Sequence, residues 1–455
     1  MSDKKVIIVG GGCAGLSAAY HLLKKGWEPI VYEAQDRVGG RMGVYRWNGY
    51  LVDEYAQFVH PSYKRAKQML EEMDLMKDLQ EFDLGGGMNV WFNHQWVSAF
   101  PNPDDAEAVA ANKEWIDYMG EDNFNAFVAY CAKYCEGKFY EGSTEWMMDC
   151  DKDDDSNFGE FVKENFGERV LEYFVQPVVA SLGLEYPEKC GVAFGLQIVW
   201  TVLVGGAAVL KGGLGRLATV IADMLGDNLH VSTPVKEIVI EERKVKGILL
   251  ETGEFIACDK VVCATTAPVA LQIIPNLPDC MRKPIERVTL CRTIHSTLFF
   301  DKKLTDGKKP VGGLLPRELG EPFCTCLFQS SRNPVALPDD NSDAMSVFYF
   351  GEDQLPKYWD LSEEEILKHT FRVVKKYFKE LPDHYIGGHV VRAPQANFTM
   401  QNGCPTAIKE MREKHYRDIE GLFFSGDYMY TGSYEGALNS GHNAACCING
   451  EMDRI

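Results

Sequence analysis

Residues 6–9 are a short apolar run, and Gly10, Gly12 and Gly15 follow it in G-x-G-x-x-G spacing. Apolar positions at helical spacing continue over 16–25. A second apolar run, 30–32, ends at Glu33. This pattern predicts a strand, a glycine turn, a helix and a second strand with an acid at its end. Residues 101–200 read mostly as helices rich in Phe, Tyr, Trp and Met. The apolar stretch 192–210 contains Gln197, Thr201 and Gly205-Gly206 and lacks flanking basic clusters. It is expected as a buried helix running into a turn, or as the lining of an apolar cavity, rather than as a membrane span. Strands are expected over 230–242, 261–264, 285–301, 344–351 and 422–424, with a hairpin over 244–259. Helices are expected over 218–225, 361–379 and 435–445. The acidic run 149–155 is expected as a solvated turn, with Ser156 capping the helix after it.

The glycine turn carries chemistry. Gly10 permits the tight turn, Gly12 lets backbone approach a pyrophosphate, and Gly15 lets helix pack on strand. The helix N-terminus contributes N–H groups and partial positive charge. Glu33 accepts hydrogen bonds from a ribose hydroxyl and disfavours a 2′-phosphate. The expected ligand is a dinucleotide.

With 455 residues, the chain is expected to form two domains or one discontinuous pair. Its net charge of −19 argues against nucleic-acid backbones and against electrostatic docking on anionic membranes. The start MSDKKVIIVG lacks a signal-peptide apolar core. Together with 14 cysteines, it is read as cytoplasmic with reduced thiols. The cysteine spacings predict no metal site.

The first motif continues into Asp36-Arg37-Val38-Gly39-Gly40-Arg41 and Leu51-Val52-Asp53. Near the other end stand Gly426-Asp427, Tyr434-Glu435-Gly436-Ala437 and Ser440-Gly441. Together these resemble the FAD-dependent amine oxidase superfamily over most of the chain. The implied fold class is α/β: a Rossmann-type FAD-binding domain (1–75, 205–268 and 415–455) with an interleaved α+β substrate domain. That second domain would span 76–204 and 269–414, with a helical part at about 101–200. The resemblance places Gly39, Gly40 and Arg41 under the diphosphate and flavin, and Val235 beside the adenine. Asp427 would meet the ribityl or diphosphate region. The backbone of 434–436, with Tyr434 and Glu435, would face flavin N1 and O2, where a helix N-terminus stabilises negative charge. Glu435 is alternatively structural, bonding backbone at a helix start. Tyr55 stands where many members have glycine.

The branch is read from departures. Ser433 occupies the position of an amine-oxidase cage tyrosine, and the Ser433-Tyr434-Glu435-Gly436 order looks like the plant-type carotenoid desaturases. Residues 389–398 and 158–187 resemble these and the protoporphyrinogen oxidases. Phe398 and Tyr428 are the candidates to replace a cage. His295 falls on the position of the amine-oxidase lysine, either as a proton carrier near flavin N5 or as a histidine bonded within a sheet. The expected activity is hydride transfer between FAD and a hydrophobic substrate of the desaturase or dehydrogenase type. Amine oxidation, flavin-dependent isomerisation and a non-catalytic flavoprotein are the alternatives.

Overall fold

The computed structural model describes residues 4–82, 87–136, 145–151, 156–304 and 312–452. Among them, a five-stranded parallel sheet has the order Leu422–Phe424, Val261–Cys263, Lys5–Val9, Glu28–Tyr32, Leu229–His230. Val9 lies opposite both Tyr32 and Cys263, so the central strands end together at Gly10, Glu33 and Ala264. Ligands of open parallel sheets bind beyond such carboxyl ends. The apolar runs are continuous because both faces of this sheet are covered. The helix Cys13–Lys24 packs on the C-terminal helix Tyr434–Ile448 at close range. A Cβ on Gly441 would sit 2.2 Å from the Ala14 carbonyl oxygen, and the Ser17 hydroxyl donates to Leu438 O at 2.7 Å.

The strand expected over 230–242 is two strands. Leu229–His230 joins the parallel sheet, and Val235–Glu241 starts a three-stranded antiparallel sheet with Lys244–Leu250 and Phe255–Ala257. Ser232 turns the chain between them at φ 51°, and Pro234 has no N–H for a ladder.

A seven-stranded mixed sheet forms the second body. Its order is Gly387–Met400, Val288–Phe300, Asp343–Tyr349, Phe323–Phe328, Gly312–Leu314, Met88–Phe92, Gln95–Ser98. The expected helix over 361–379 is Glu363–Tyr377. Ser362 and Glu365 close a capping box at its start, and it buries Ile366, Val373 and Val374; such a cap satisfies two otherwise unpaired N–H groups.

Helices dominate the described part of 101–200, and Val192–Leu203 is buried along nearly its whole length. Gly205 and Gly206, at φ 62° and 73°, turn it into the strand Ala207–Leu210. Among the described residues, no helix is long and apolar enough to cross a membrane. Two local expectations are corrected. Asn157, not Ser156, caps the helix Phe158–Phe166, its side chain accepting from Glu160 N at 2.9 Å. Asp151 is no solvated turn residue: its carboxylate accepts from Gly403 N at 2.9 Å and Thr406 N at 3.0 Å, pinning the helix Cys404–Glu410. Residues 152–155 of that run lie outside the described residues.

Candidate active site

At the sheet's carboxyl edge the three motif glycines have separate reasons. Gly10 has φ 108°, and a Cβ there would lie 2.6 Å from Ala264 O. A Cβ on Gly15 would lie 2.0 Å from Gly10 O. At Gly12 a Cβ would meet nothing within 4 Å. Sterics within the chain therefore demand glycine at 10 and 15, whereas Gly12 faces space suited to a ligand. The helix it opens has no side-chain cap and no acid in its first turn, so its N-terminal field points outward uncompensated. The Glu33 carboxylate accepts from Gly11 N at 2.6 Å and Gln35 N at 2.8 Å. Thr233 N bonds Glu33 O at 2.8 Å, which brings the approach to Val235 alongside Glu33.

The second motif folds onto the first. Gly39 N donates to Gly11 O at 2.8 Å. Gly39 and Gly40 have φ 96° and 52°, and a Cβ on Gly40 would sit 3.3 Å from Gly12 Cα. Arg41 pairs with Asp427 at 2.7 Å. Both act electrostatically on the Cys13 thiol, whose pKa burial pushes up to about 12. Tyr434, whose phenol is held well above its usual range chiefly by burial, lies within electrostatic reach of Cys13. Thus the fold gathers Gly12, Gly40, Arg41, Asp427 and Tyr434 at one edge from opposite ends of the chain.

Ser433 is the N-cap of the helix Tyr434–Ile448, its hydroxyl accepting from Gly436 N at 3.0 Å. The Glu435 carboxylate takes Arg65 N at 2.7 Å and Ala66 N at 2.9 Å. It therefore caps the start of a different helix, Lys64–Glu72.

His295 is 1% exposed. Its Nδ1 meets Glu54 O at 2.9 Å, and its Nε2 meets Thr297 Oγ1 at 3.1 Å. The ring stacks on Phe348 with centroids 4.3 Å apart. Burial pushes its pKa down to about 3, so it is neutral near pH 7. Gln57, on the same loop as Glu54, accepts from the buried Arg332 at 2.6 Å and donates to Asp53 O at 2.5 Å. The Glu54 carboxylate bonds His389 at 3.0 Å and lies 3.5 Å from Arg37; the His389 hydrogen bond, more than Arg37, holds its pKa low. Tyr55, the departure noted in sequence, has its phenol beside Arg37.

Tyr428 is 1% exposed, as is Phe398, and the Tyr428 ring packs on Gly426. Phe398 instead pairs with Phe194, centroids 5.7 Å apart. A Cβ on Gly432 would come within 3.3 Å of both rings.

The profile of the flavin containing amine oxidoreductases matches residues 13–449. The chain belongs to this family. It is 23% identical to the 15-cis-phytoene desaturase of Synechococcus elongatus, covering 99% of this chain and 97% of that protein. Identity to human amine oxidase [flavin-containing] B is 24%, covering 100% and 88%. The fold matches cyclohexylamine oxidase from Brevibacterium oxydans IH-35A with TM-score 0.76 and 18% identity, over 99% and 100% of the two chains.

As a member of this family of flavin amine oxidoreductases, the protein is an FAD-dependent oxidoreductase. The residues present fit the cofactor: an open face at Gly12, an uncapped helix N-terminus, and a cation–carboxylate pair at Arg41–Asp427. Sequence reasoning missed Phe194, Gln57, Arg332 and the Glu54–His389 pair. Phe194 lies within the apolar stretch 192–210, whose composition does not single it out. For the others, residues 54–57 meet 295–389 through tertiary contact alone.

Proposed function

We propose that the protein transfers a hydride between FAD and a hydrophobic organic substrate, as a desaturase or dehydrogenase. The observation that carries this reading is the packing beside Ser433, where the buried Phe194 and Phe398 meet Gly432. There Phe194 and Phe398 supply two hydroxyl-free rings, while Ser433 is committed to capping its helix. A neighbourhood with no tyrosine at that position lacks an aromatic cage for an amine, which supports a substrate held through apolar contacts. The phytoene-desaturase relatives support the same substrate class.

Bound FAD would supply the hydride-transfer chemistry, and protein groups would orient and shield the reacting atoms. Gly12, Gly39, Gly40 and Arg41 would hold the diphosphate on the turn that Gly10 and Gly15 shape, with Asp427 at the ribityl side. Glu33 holds the adenosine ribose and Val235 the adenine. The start of the helix Tyr434–Ile448 would face flavin N1 and O2, with Tyr434 beside it. Glu435 serves by fixing Lys64–Glu72, and His295 by holding the 53–57 loop at Glu54 O. In this reading 1–75, 205–268 and 415–455 carry the cofactor and 76–204 and 269–414 the substrate, in a cytoplasmic protein.

The test is anaerobic bleaching of the bound flavin by a panel of amines, porphyrinogens, polyenes and enones. Bleaching by polyenes or other apolar hydrogen donors supports the proposal. Bleaching by amines alone replaces it with amine oxidation, and product formed without net flavin reduction replaces it with isomerisation.

A further inference from the structure

Three donor groups converge where the chain crosses between its two bodies. Cys280 lies on the helix Asp279–Glu286, soon after the strand Val261–Cys263. His415 and Asp418 precede the strand Leu422–Phe424, on the return to the parallel sheet. His415 Nδ1 is 2.9 Å from Asp418 Oδ2, and Cys280 Sγ is 3.6 Å from the same oxygen. All three ligand atoms lie within 4.8 Å of one another. All three residues are partly exposed. None of them belongs to the flavin site.

We propose that Cys280, His415 and Asp418 bind one divalent zinc-class cation, with water completing a tetrahedron. Bond lengths of about 2.0–2.3 Å to N, O and S place tetrahedral ligands about 3.3–3.6 Å apart. The thiol–carboxylate separation already has that value, the imidazole must withdraw a few tenths of an ångström from the carboxylate, and the thiol and imidazole, within 4.8 Å of each other, must come to about 3.6 Å. One soft, one borderline and one hard donor is a set that zinc accepts. In the metal-free arrangement one carboxylate oxygen serves both the thiol and the imidazole. A cation there leaves thiolate and carboxylate charges balanced. Arg243 is the competing cation: its Nη2 lies 3.5 Å from Asp418 Oδ2, and its side chain is 65% exposed. It can withdraw while its Nε keeps the 3.0 Å bond to Asp418 O. The ion would tie residue 280 to residues 415–418 and so clamp the two crossing segments together.

Tag-free holoprotein, stripped with chelator, is titrated with Zn²⁺ and separately with Co²⁺. One Zn²⁺ per chain, a thiolate-to-cobalt band in the difference spectrum and a raised melting temperature are expected. Cys280→Ser and His415→Ala should each weaken Zn²⁺ binding at least about tenfold and leave flavin content unchanged. Flavin content and circular dichroism confirm that these variants are folded. Zn²⁺ held no more tightly by the wild type than by the double variant, or Co²⁺ bound without a thiolate band, would overturn the proposal.

Discussion

Nδ1 of His295 meets a carbonyl, which can only accept, so the proton sits on Nδ1 and Nε2 accepts from Thr297. This tautomer follows from the hydrogen-bond network. A ring so placed has no nitrogen left for a proton relay, which supports the proposed role of positioning the loop. His295→Ala should therefore lower stability by roughly 2–4 kcal/mol, through a cavity and an unpaired carbonyl. It should slow flavin reduction without removing any limb of the pH–rate profile between pH 5 and 8. Loss of a limb near neutrality, read by stopped-flow absorbance, would restore the proton carrier. Sequence placed His295 on the right strand and left its two roles open. Choosing between them required Glu54 and Thr297, and the first is 241 residues away.

At the scale of elements, the glycine turn separates fold from ligand. Gly15→Ala drives a Cβ against Gly10 O at 2.0 Å and should cost about 3 kcal/mol or more. Gly12 has φ −76°, which alanine adopts readily, and its Cβ direction is open. Gly12→Ala should leave apoprotein melting nearly unchanged and weaken FAD binding at least about tenfold, since the proposed cofactor site would occupy that space. Apoprotein calorimetry beside a flavin-fluorescence titration checks both. Elements of strong periodicity, such as Glu363–Tyr377, were legible because one amphipathic face must be buried. The break at 232–234 was missed although Pro234 signals it; apolar alternation on both sides suggested one strand. The Asp151 cap was invisible because its partners begin 252 residues later.

For the whole molecule, buried histidines set an acid limit. Burial pushes His21 and His295 from 6.5 down to about 3. Between those values the unfolded chain binds protons that the fold refuses. Their contribution is intact above pH 6.5 and is lost progressively towards pH 3, at up to about 1.4 kcal/mol per pH unit for each. Asp53 acts in the opposite sense. Burial raises it from 3.8 to about 6, so its cost is absent below pH 3.8 and complete above about pH 6. Melting temperature should fall on acidification from pH 6.5, and more shallowly in the His21→Gln/His295→Gln double variant; parallel curves would count against this account. The glycine spacing and Glu33 determined by themselves that the chain binds a dinucleotide, because a diphosphate on a helix N-terminus imposes local backbone rules that any sequence must obey; the two terminal motifs, through their family resemblance, narrowed it to FAD. The tertiary structure alone decided the partners. Arg41 meets Asp427, Glu435 caps a helix beginning near residue 64, Phe194 faces Phe398, and Cys280 reaches Asp418. Such pairings are made by packing two bodies whose segments alternate along the chain, and no local periodicity encodes which distant side chains that packing brings within bonding distance.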